Sequence, residues 1–291
     1  MAAVFTEANG VLIGPPRTAH TRELGAVHDP DIAARHGFRG GIVGGSRHLN
    51  IFAPLMVELW GPAAFERGGV SIYFESPVVS GEQVQAFVRR PAPDALAAEA
   101  WIRRGDAPDI QVGTGSLTLG DHSPSELKTR PVRLCDAGEV RILRHLPVGG
   151  VVCDTTARVP YDDQALDLSS GEINEPLDWY VGASPWGGPI AAISSSFRLP
   201  FYPANAVLAA QTEGVVPMGG AVEICFDRGP IFLDRDYGVR AVSAGVGHSP
   251  KTEYVIIDFS VDDEAGQRIA SARQVYRFLK KGSGLYPELD G

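Results

Sequence analysis

Residues 38–62, FRGGIVGGSRHLNIFAPLMVELWGP, decide the fold of this chain. After the second Gly-Gly pair, apolar residues recur at three- and four-residue steps, which is the spacing of one buried helical face. Ser46 is suited to cap the start of this helix, Gly61 to end it, and Pro54 to bend it. The apolar face consists of Leu49, Phe52, Ala53, Met56, Leu59 and Trp60.

Four short runs rich in β-branched and aromatic residues follow the helix and predict an antiparallel meander, because turn-forming clusters separate them. They are VSIYF (70–74), QVQAFVRR (83–90), LAAEAWIRR (96–104) and IQVGTGSLTL (110–119). The same order returns later as AVEICF (221–226), YGVRAVSAGV (237–246), TEYVIIDFSV (252–261) and IASARQVYRFL (269–279). A duplication with a period of roughly 150 residues therefore indicates two copies of one domain.

A second Gly-rich turn and helical stretch, SPWGGPIAAISSSFRLPFYPANAVLA (184–209), precede the second meander. This is a rougher copy of the first helix, and we expect Pro200 and Pro203 to interrupt it. Each unit is predicted to wrap an antiparallel sheet around an apolar helix, which is an α+β arrangement. We expect a first domain over residues 1–125, a linker over 126–149 and a second domain over 150–291.

Composition excludes several classes of protein. The formal net charge is −9 and no run of Lys or Arg offers a footprint for a phosphate backbone, so nucleic acid is not an expected partner. Three widely spaced cysteines favour neither a disulfide framework nor a metal site. The N-terminus does not resemble a signal peptide, and no apolar run reaches the length of a membrane helix. We therefore expect a cytoplasmic protein without a metal, a cofactor or a membrane partner.

Residues 28–45, HDPDIAARHGFRGGIVGG, and residues 70–84, VSIYFESPVVSGEQV, resemble the MaoC-like hot-dog family of enoyl-thioester hydratases and dehydratases. The resemblance covers roughly the first 90 residues well and the second half weakly, and it implies a double hot-dog fold. The helix in this motif also has a physical basis. Asp29 suits its N-cap, Pro30 its first position, and Gly37 the left-handed residue that closes it.

The family's catalytic pair is an Asp and a His five positions apart, which hold a water between them. Aligned backward from Gly37, these positions fall on Arg22 and Val27, and the pair is absent. A shift of one residue instead gives Glu23 and His28, again five apart. In that alignment His28 moves a proton, which suits its ordinary pKa, and Glu23 orients the water.

The start of the central helix is the expected site for the thioester carbonyl. Backbone N–H groups at Gly44, Gly45 and Ser46 lack helical acceptors and carry partial positive charge. In the family a His stands where this chain has Gly44. His48, in the first turns of the helix, could also reach the pocket.

In the second half, Asp178 and Trp186 precede the corresponding Gly-rich turn. We expect them to contribute to substrate binding there.

The resemblance implies an acyl-thioester hydratase or dehydratase whose partner is a thioester of CoA or of a carrier protein. A homodimer is an expected assembly. Two alternatives remain open: a hot-dog thioesterase that uses Asp178 or Glu23, and a pocket reused for a substrate or ligand that is not a CoA thioester. Phosphate groups would need basic contacts, for which the first half offers Arg39, Arg47, Arg89 and Arg90.

Overall fold

The computed structural model describes residues 5–93 and 95–289, whose strands form one antiparallel sheet of twelve strands. The first half contributes β1 (Thr6–Ala8), β2 (Val11–Ile13), β3 (Arg17–Thr18), β4 (Gly68–Phe74), β5 (Gln83–Arg89), β6 (Ala97–Arg104) and β7 (Gln111–Leu119). The second half contributes β8 (Val151–Ala157), β9 (Pro217–Phe226), β10 (Tyr237–His248), β11 (Thr252–Asp262) and β12 (Arg268–Leu279). All eight meander strands predicted from the sequence are present.

The helices lie between and against these strands. They are α1 (Pro30–Arg35), α2 (Ala53–Trp60), α3 (Ala63–Arg67), α4 (Glu126–Thr129), α5 (Tyr161–Ser169) and α6 (Ile193–Gln211). None of the helices in the described part of the chain is both long enough and apolar enough to cross a membrane. In α1 the Asp29 carboxylate accepts hydrogen bonds from the backbone N–H groups of Asp31 and Ile32, and Gly37 has a φ of 81°, as predicted.

The strand order makes the two halves mirror one another. It runs β1-β2-β5-β6-β7-β4-β9-β12-β11-β10-β8, so β4 of the first half pairs with β9 of the second at the centre. Val70 lies opposite Ile224 and Ile72 opposite Val222 in this central pair. The sheet therefore continues from one half into the other.

The first central helix begins as a 3₁₀ segment over Gly45–Phe52 and continues as α2, with Gly61 at a φ of 57° after its end. The expected cap at Ser46 was wrong. Gly44 occupies the N-cap position, and no side chain in the described part of the chain makes a cap hydrogen bond to the segment. Because Ser46 lies one residue inside the helix, its hydroxyl is not in the N-cap position from which a side chain reaches the first N–H groups.

The expected interruption of the second central helix was also wrong, because α6 continues through Pro200 and Pro203. Each proline removes one backbone hydrogen bond. Burial of the helix against the sheet offsets that loss, and Phe197, Ala204 and Leu208 are all buried.

A buried amide joins the two central helices where α6 begins. Asn50 Nδ2 donates to Ser194 Oγ at 2.9 Å, and the Ser194 backbone N–H donates to Asn50 Oδ1 at 2.9 Å. Both residues are fully buried, so this pair fixes the first central helix against the start of the second.

Candidate active site

A cavity of about 730 Å³ lies where the two halves meet. The first half supplies the loop from Glu23 to His28 and the Gly44-Gly45 turn. The second half supplies one face of α6, the start of β9 and the end of β12. Neither half encloses the cavity by itself.

Glu23 and His28 meet at the wall of this cavity. His28 Nε2 lies 3.2 Å from Glu23 Oε2, and His28 Nδ1 lies 2.6 Å from the backbone oxygen of Ile42. Because a carbonyl oxygen only accepts, Nδ1 carries a proton. Nε2 therefore faces the Glu23 carboxyl group at a distance over which a proton can pass between the two side chains.

The alternative alignment, with Arg22 and Val27 in these places, does not put a pair in the cavity. Val27 is buried and its backbone oxygen accepts a hydrogen bond from the N–H of Ile42. The Arg22 guanidinium points to the carboxylates of Asp167 and Glu172 in the second half. Of the two pairs, only Glu23 and His28 face the cavity together.

Gly44 and Gly45 lie directly beside this pair. A Cβ atom on Gly44 would stand 3.6 Å from Glu23 Oε2 and 3.7 Å from His28 Cε1. A Cβ atom on Gly45 would stand 2.4 Å from Cε2 of Phe74, so any side chain there would force the Phe74 ring to move. Glycine at position 45 thus lets an aromatic ring lie against the helix start, where backbone N–H groups lack helical acceptors.

An arginine–carboxylate cluster contacts Glu23 at Oε1, the oxygen that does not face His28. Arg47, which is buried, places Nη2 3.2 Å from Glu23 Oε1, and Nη1 2.8 Å from Asp167 Oδ2. Nη2 is also 3.0 Å from Glu172 Oε2. Arg198 of α6 adds a contact of 2.6 Å to Asp167 Oδ2. We call the six charged residues Arg22, Glu23, Arg47, Asp167, Glu172 and Arg198 the buried ionic cluster.

The two carboxyl groups from the second half differ in their pKa values. Burial raises the pKa of Asp167, but Arg198, Arg47 and a hydrogen bond from Arg22 outweigh it and hold that pKa well below its usual range. Burial also raises the pKa of Glu172, and the neighbouring Asp167 raises it further. Arg22 and Arg47 lower this pKa, but the net effect is a rise. Asp167 is therefore the lasting anion to which the arginines bind.

Two further residues expected in the pocket do line the cavity. Ser46 and His48 belong to its wall beside Gly45. His48 is buried against Phe74, with ring centroids 5.9 Å apart, and burial lowers its pKa to about 4. His48 is thus a neutral imidazole near pH 7.

Asp178 and Trp186 do not line this cavity, so the structure does not bring them to Glu23 and His28. Trp186 packs against Phe65 and Trp179, and its Nε1–H donates to Glu66 Oε1 at 3.0 Å. Aromatic rings therefore fill the region around the second Gly-rich turn.

A glutamine closes the corresponding helix start in the second half. Gln164 Oε1 accepts the N–H of Ala192, and Gln164 Nε2 donates to the backbone oxygens of Tyr180 and Ile190. The N–H of Ala192 at this turn therefore already has an acceptor. In the first half, by contrast, the N–H groups at Gly44 and Gly45 are expected to lack one.

Several residues of the second half that surround Glu23 had no pattern in the sequence that pointed to them. The Tyr202 hydroxyl lies 3.5 Å from Glu23 Oε1, and the Arg198 guanidinium lies over the Tyr202 ring. Asp167 and Glu172 stand about 145 residues after Glu23 in the chain and look like ordinary surface carboxylates in the sequence. Only the fold brings them together.

No protein-family model matches the sequence, and no curated protein matches it. Among solved structures, the chain is similar to RV0216, a conserved hypothetical protein from Mycobacterium tuberculosis with a double hotdog fold. The TM-score is 0.58 at 11% identity, and the match covers 91% of this chain and 94% of that chain.

A protein from Chloroflexus aurantiacus J-10-fl, named for a MaoC domain dehydratase, matches with a TM-score of 0.56 at 9% identity, covering 94% of this chain and 95% of that chain. A MaoC-like dehydratase matches with a TM-score of 0.50 at 12% identity, covering 86% and 89%. These likenesses confirm the predicted fold: the chain has an α+β double hot-dog fold, similar in structure to MaoC-like dehydratases.

Proposed function

We propose that the chain is a hydratase or dehydratase of acyl thioesters that uses Glu23 and His28. The observation that carries this proposal is the contact of 3.2 Å between the two side chains beside the Gly44-Gly45 turn. A carboxyl group and an imidazole in contact can take a proton from one atom of a substrate and give a proton to another.

In the hydration direction, Glu23 accepts a proton from a bound water while the water oxygen forms a bond to the β-carbon. The electron pair of the double bond then takes the proton of His28 at the α-carbon. Glu23 ends protonated and His28 neutral, and transfer of the proton from Oε2 to Nε2 restores the pair. Dehydration runs through the same steps in reverse.

Charge that develops on the thioester oxygen needs a hydrogen-bond donor. The N–H of Gly45 begins the central helix, where the helix dipole adds positive potential. Such a donor stabilises an enolate-like oxygen more than the ground-state carbonyl, which lowers the barrier. The missing side chain at position 45 allows close approach of the substrate.

The second half would then contain the acyl group. Its part of the cavity wall includes Phe201, Met218, Tyr276 and Phe278, and the Phe201 and Tyr276 rings meet edge to face at 5.6 Å. Apolar walls of this kind suit a hydrocarbon chain. This arrangement assigns chemistry to the first half and substrate containment to the second.

Hydration of crotonyl-CoA, followed through loss of the enoyl absorbance, tests the proposal. We expect His28→Ala and Glu23→Gln each to lower kcat/KM by about 10² to 10⁴-fold. His248→Ala, at an exposed position at the end of β10, is the matched control and should keep full activity. Turnover that both site variants retain would refute the roles of Glu23 and His28.

The thioesterase alternative gives a different product. Release of free thiol from acyl-CoA, with no hydration, would replace the proposed reaction by hydrolysis with Glu23 as the base. Neither reaction with any thioester would point to the third alternative, a pocket reused for another ligand. Because Asp178 does not line the cavity, the form of thioesterase that depends on it has little support.

A further inference from the structure

A second cavity, of about 460 Å³, adjoins the main one and shares Ala26, Gly214 and Val215 with it. The rest of its wall consists of Ile32, Arg35, His36, Val216, Lys281 and Gly282. We call it the basic cavity, because among the described residues its lining includes an arginine, a histidine and a lysine and no carboxylate. The chain as a whole has a formal net charge of −9, so this cavity is a region of opposite, positive charge.

The arginines that the sequence offered for phosphate binding already have carboxylate partners. These pairs are Arg39 with Glu82, Arg89 with Glu99 and Arg90 with Glu7, while Arg47 belongs to the buried ionic cluster. Within residues 5–93 and 95–289, neither Arg35 nor Lys281 has a carboxylate within salt-bridge distance. Arg35 Nε donates instead to the backbone oxygen of Asp31 at 3.3 Å. Their charge is therefore available to a ligand.

The basic cavity lies at one end of the elements that hold the candidate catalytic pair. Ala26, in its wall, stands between Glu23 and His28 in the chain. Helix α1 begins two residues after His28 and rises by about 9 Å over its six residues to Arg35. A phosphopantetheine arm has the reach of four or five extended residues, roughly 15 Å, which exceeds the rise of this helix.

Building on the proposed function, we propose that the basic cavity binds a phosphate of the arm that carries the thioester. Arg35 can contact a phosphate with two N–H groups and Lys281 can contact it as a point charge. The thioester end of the same molecule then lies at Glu23 and His28. Both CoA and a carrier protein present this phosphopantetheine chemistry.

The test compares three crotonyl thioesters: those of CoA, of phosphopantetheine and of N-acetylcysteamine, of which the last has no phosphate. In the double variant Arg35→Ala/Lys281→Ala we expect KM for crotonyl-CoA to rise at least tenfold. For the N-acetylcysteamine thioester, kcat/KM should change less than twofold. Arg89→Ala, which removes a guanidinium already paired with Glu99, is the matched control and should leave all three unchanged.

The pattern among the substrates identifies the source of the phosphate. An equal rise in KM for the CoA and phosphopantetheine thioesters supports the inference with the pantetheine phosphate as the bound group. A rise for CoA alone supports it with the nucleotide phosphates as the bound groups. The inference is overturned if KM rises for neither the CoA nor the phosphopantetheine thioester. It is also overturned if kcat/KM for the N-acetylcysteamine thioester falls as much as kcat/KM for crotonyl-CoA.

Direct binding separates this inference from the proposed function. Titration calorimetry with free CoA and free phosphopantetheine needs no turnover. The wild type should bind at least one of the two at low ionic strength, more weakly as salt is added, and the double variant should bind at least tenfold more weakly. If hydration fails but this binding difference holds, the inference stands. A wild type that binds neither molecule refutes it.

Discussion

Arg47 Nη2 lies 3.2 Å from Glu23 Oε1, so a buried guanidinium of the central helix orients the candidate catalytic carboxylate. Arg47 is itself fixed from the second half of the molecule, because its Nη1 lies 2.8 Å from Asp167 Oδ2 in α5. The position of Glu23 therefore depends on both halves of the chain.

We predict that Arg47→Lys lowers kcat for crotonyl-CoA by about 10²-fold and changes KM much less. Lysine keeps the charge but cannot contact Glu23 and Asp167 at fixed angles, and a displacement of about 1 Å in a reacting group can cost that much. Steady-state kinetics measures this loss. Arg90→Lys, in an exposed pair with Glu7, is the control and should behave as wild type.

A second readout distinguishes orientation of Glu23 from general damage to the fold. The NMR signals of the His28 ring should move in Arg47→Lys, because Glu23 beside it changes position, while the protein stays folded. Unchanged His28 ring signals together with wild-type kcat would contradict the assigned role of Arg47.

The sequence predicted the fold from local patterns. The spacing of apolar residues in 49–60, the alternating strands and the cap at Asp29 all follow from rules that act over a few residues. The prediction that failed in α6 also has a local origin. Pro200 and Pro203 disfavour a helix, but burial against the sheet outweighs that preference, and burial is not visible in a short window.

The candidate site was only partly predictable for the same reason. Glu23 and His28 are five residues apart and could be paired from the sequence. Asp167 contributes through contacts with Arg22 and Arg47, which are more than 100 positions away in the chain, and Arg198 contributes through its contact with Asp167. Trp186 was predicted to contribute to substrate binding because it precedes a glycine pair, but it packs against the Trp179 ring instead.

The two glycines at the helix start should differ in their tolerance of a side chain. We predict that Gly45→Ala lowers the free energy of unfolding by about 1–3 kcal/mol, because its Cβ would stand 2.4 Å from the Phe74 ring. Activity should fall with it, since the ring must move beside the candidate carbonyl site. Denaturant unfolding and crotonyl-CoA hydration measure the two effects.

Gly44→Ala is the matched control, because a Cβ there meets Glu23 and His28 only at ordinary contact distance. Its backbone, at φ −59° and ψ 135°, also suits alanine. Equal losses of stability in the two variants would show that the Phe74 contact is not what requires glycine at position 45.

The hydrogen bonds between Asn50 and Ser194 should contribute to the stability of the whole molecule. We predict that Asn50→Ala costs about 1–3 kcal/mol, because it leaves the buried N–H of Ser194 without an acceptor. Urea unfolding at neutral pH measures this cost. Ser195→Ala is the control, because the buried Ser195 hydroxyl has no hydrogen-bond partner among the described residues and its loss should be nearly neutral. A larger effect at Ser195 than at Asn50 would contradict this account.

His48 should make the protein less stable as the pH falls from 6.5 towards 4. Burial lowers the pKa of His48 from 6.5 to about 4, so in this range the unfolded chain takes up a proton that the folded chain does not. Above pH 6.5 the imidazole is neutral in both states and contributes no pH dependence. At pH 4 the loss attributable to this one group is about 3 kcal/mol.

A His48→Gln variant, neutral at every pH, lacks this contribution whatever its stability at pH 7. Urea unfolding at steps between pH 7 and pH 4.5 should therefore give a smaller decline for His48→Gln than for the wild type. The difference between the two declines should be about 2–3 kcal/mol. Carboxylates such as Asp167, whose pKa is lowered, add pH dependence below about pH 4 in both proteins and cancel in the comparison. Parallel declines for the two proteins would mean that His48 takes up its proton in the folded state, which its burial against Phe74 argues against.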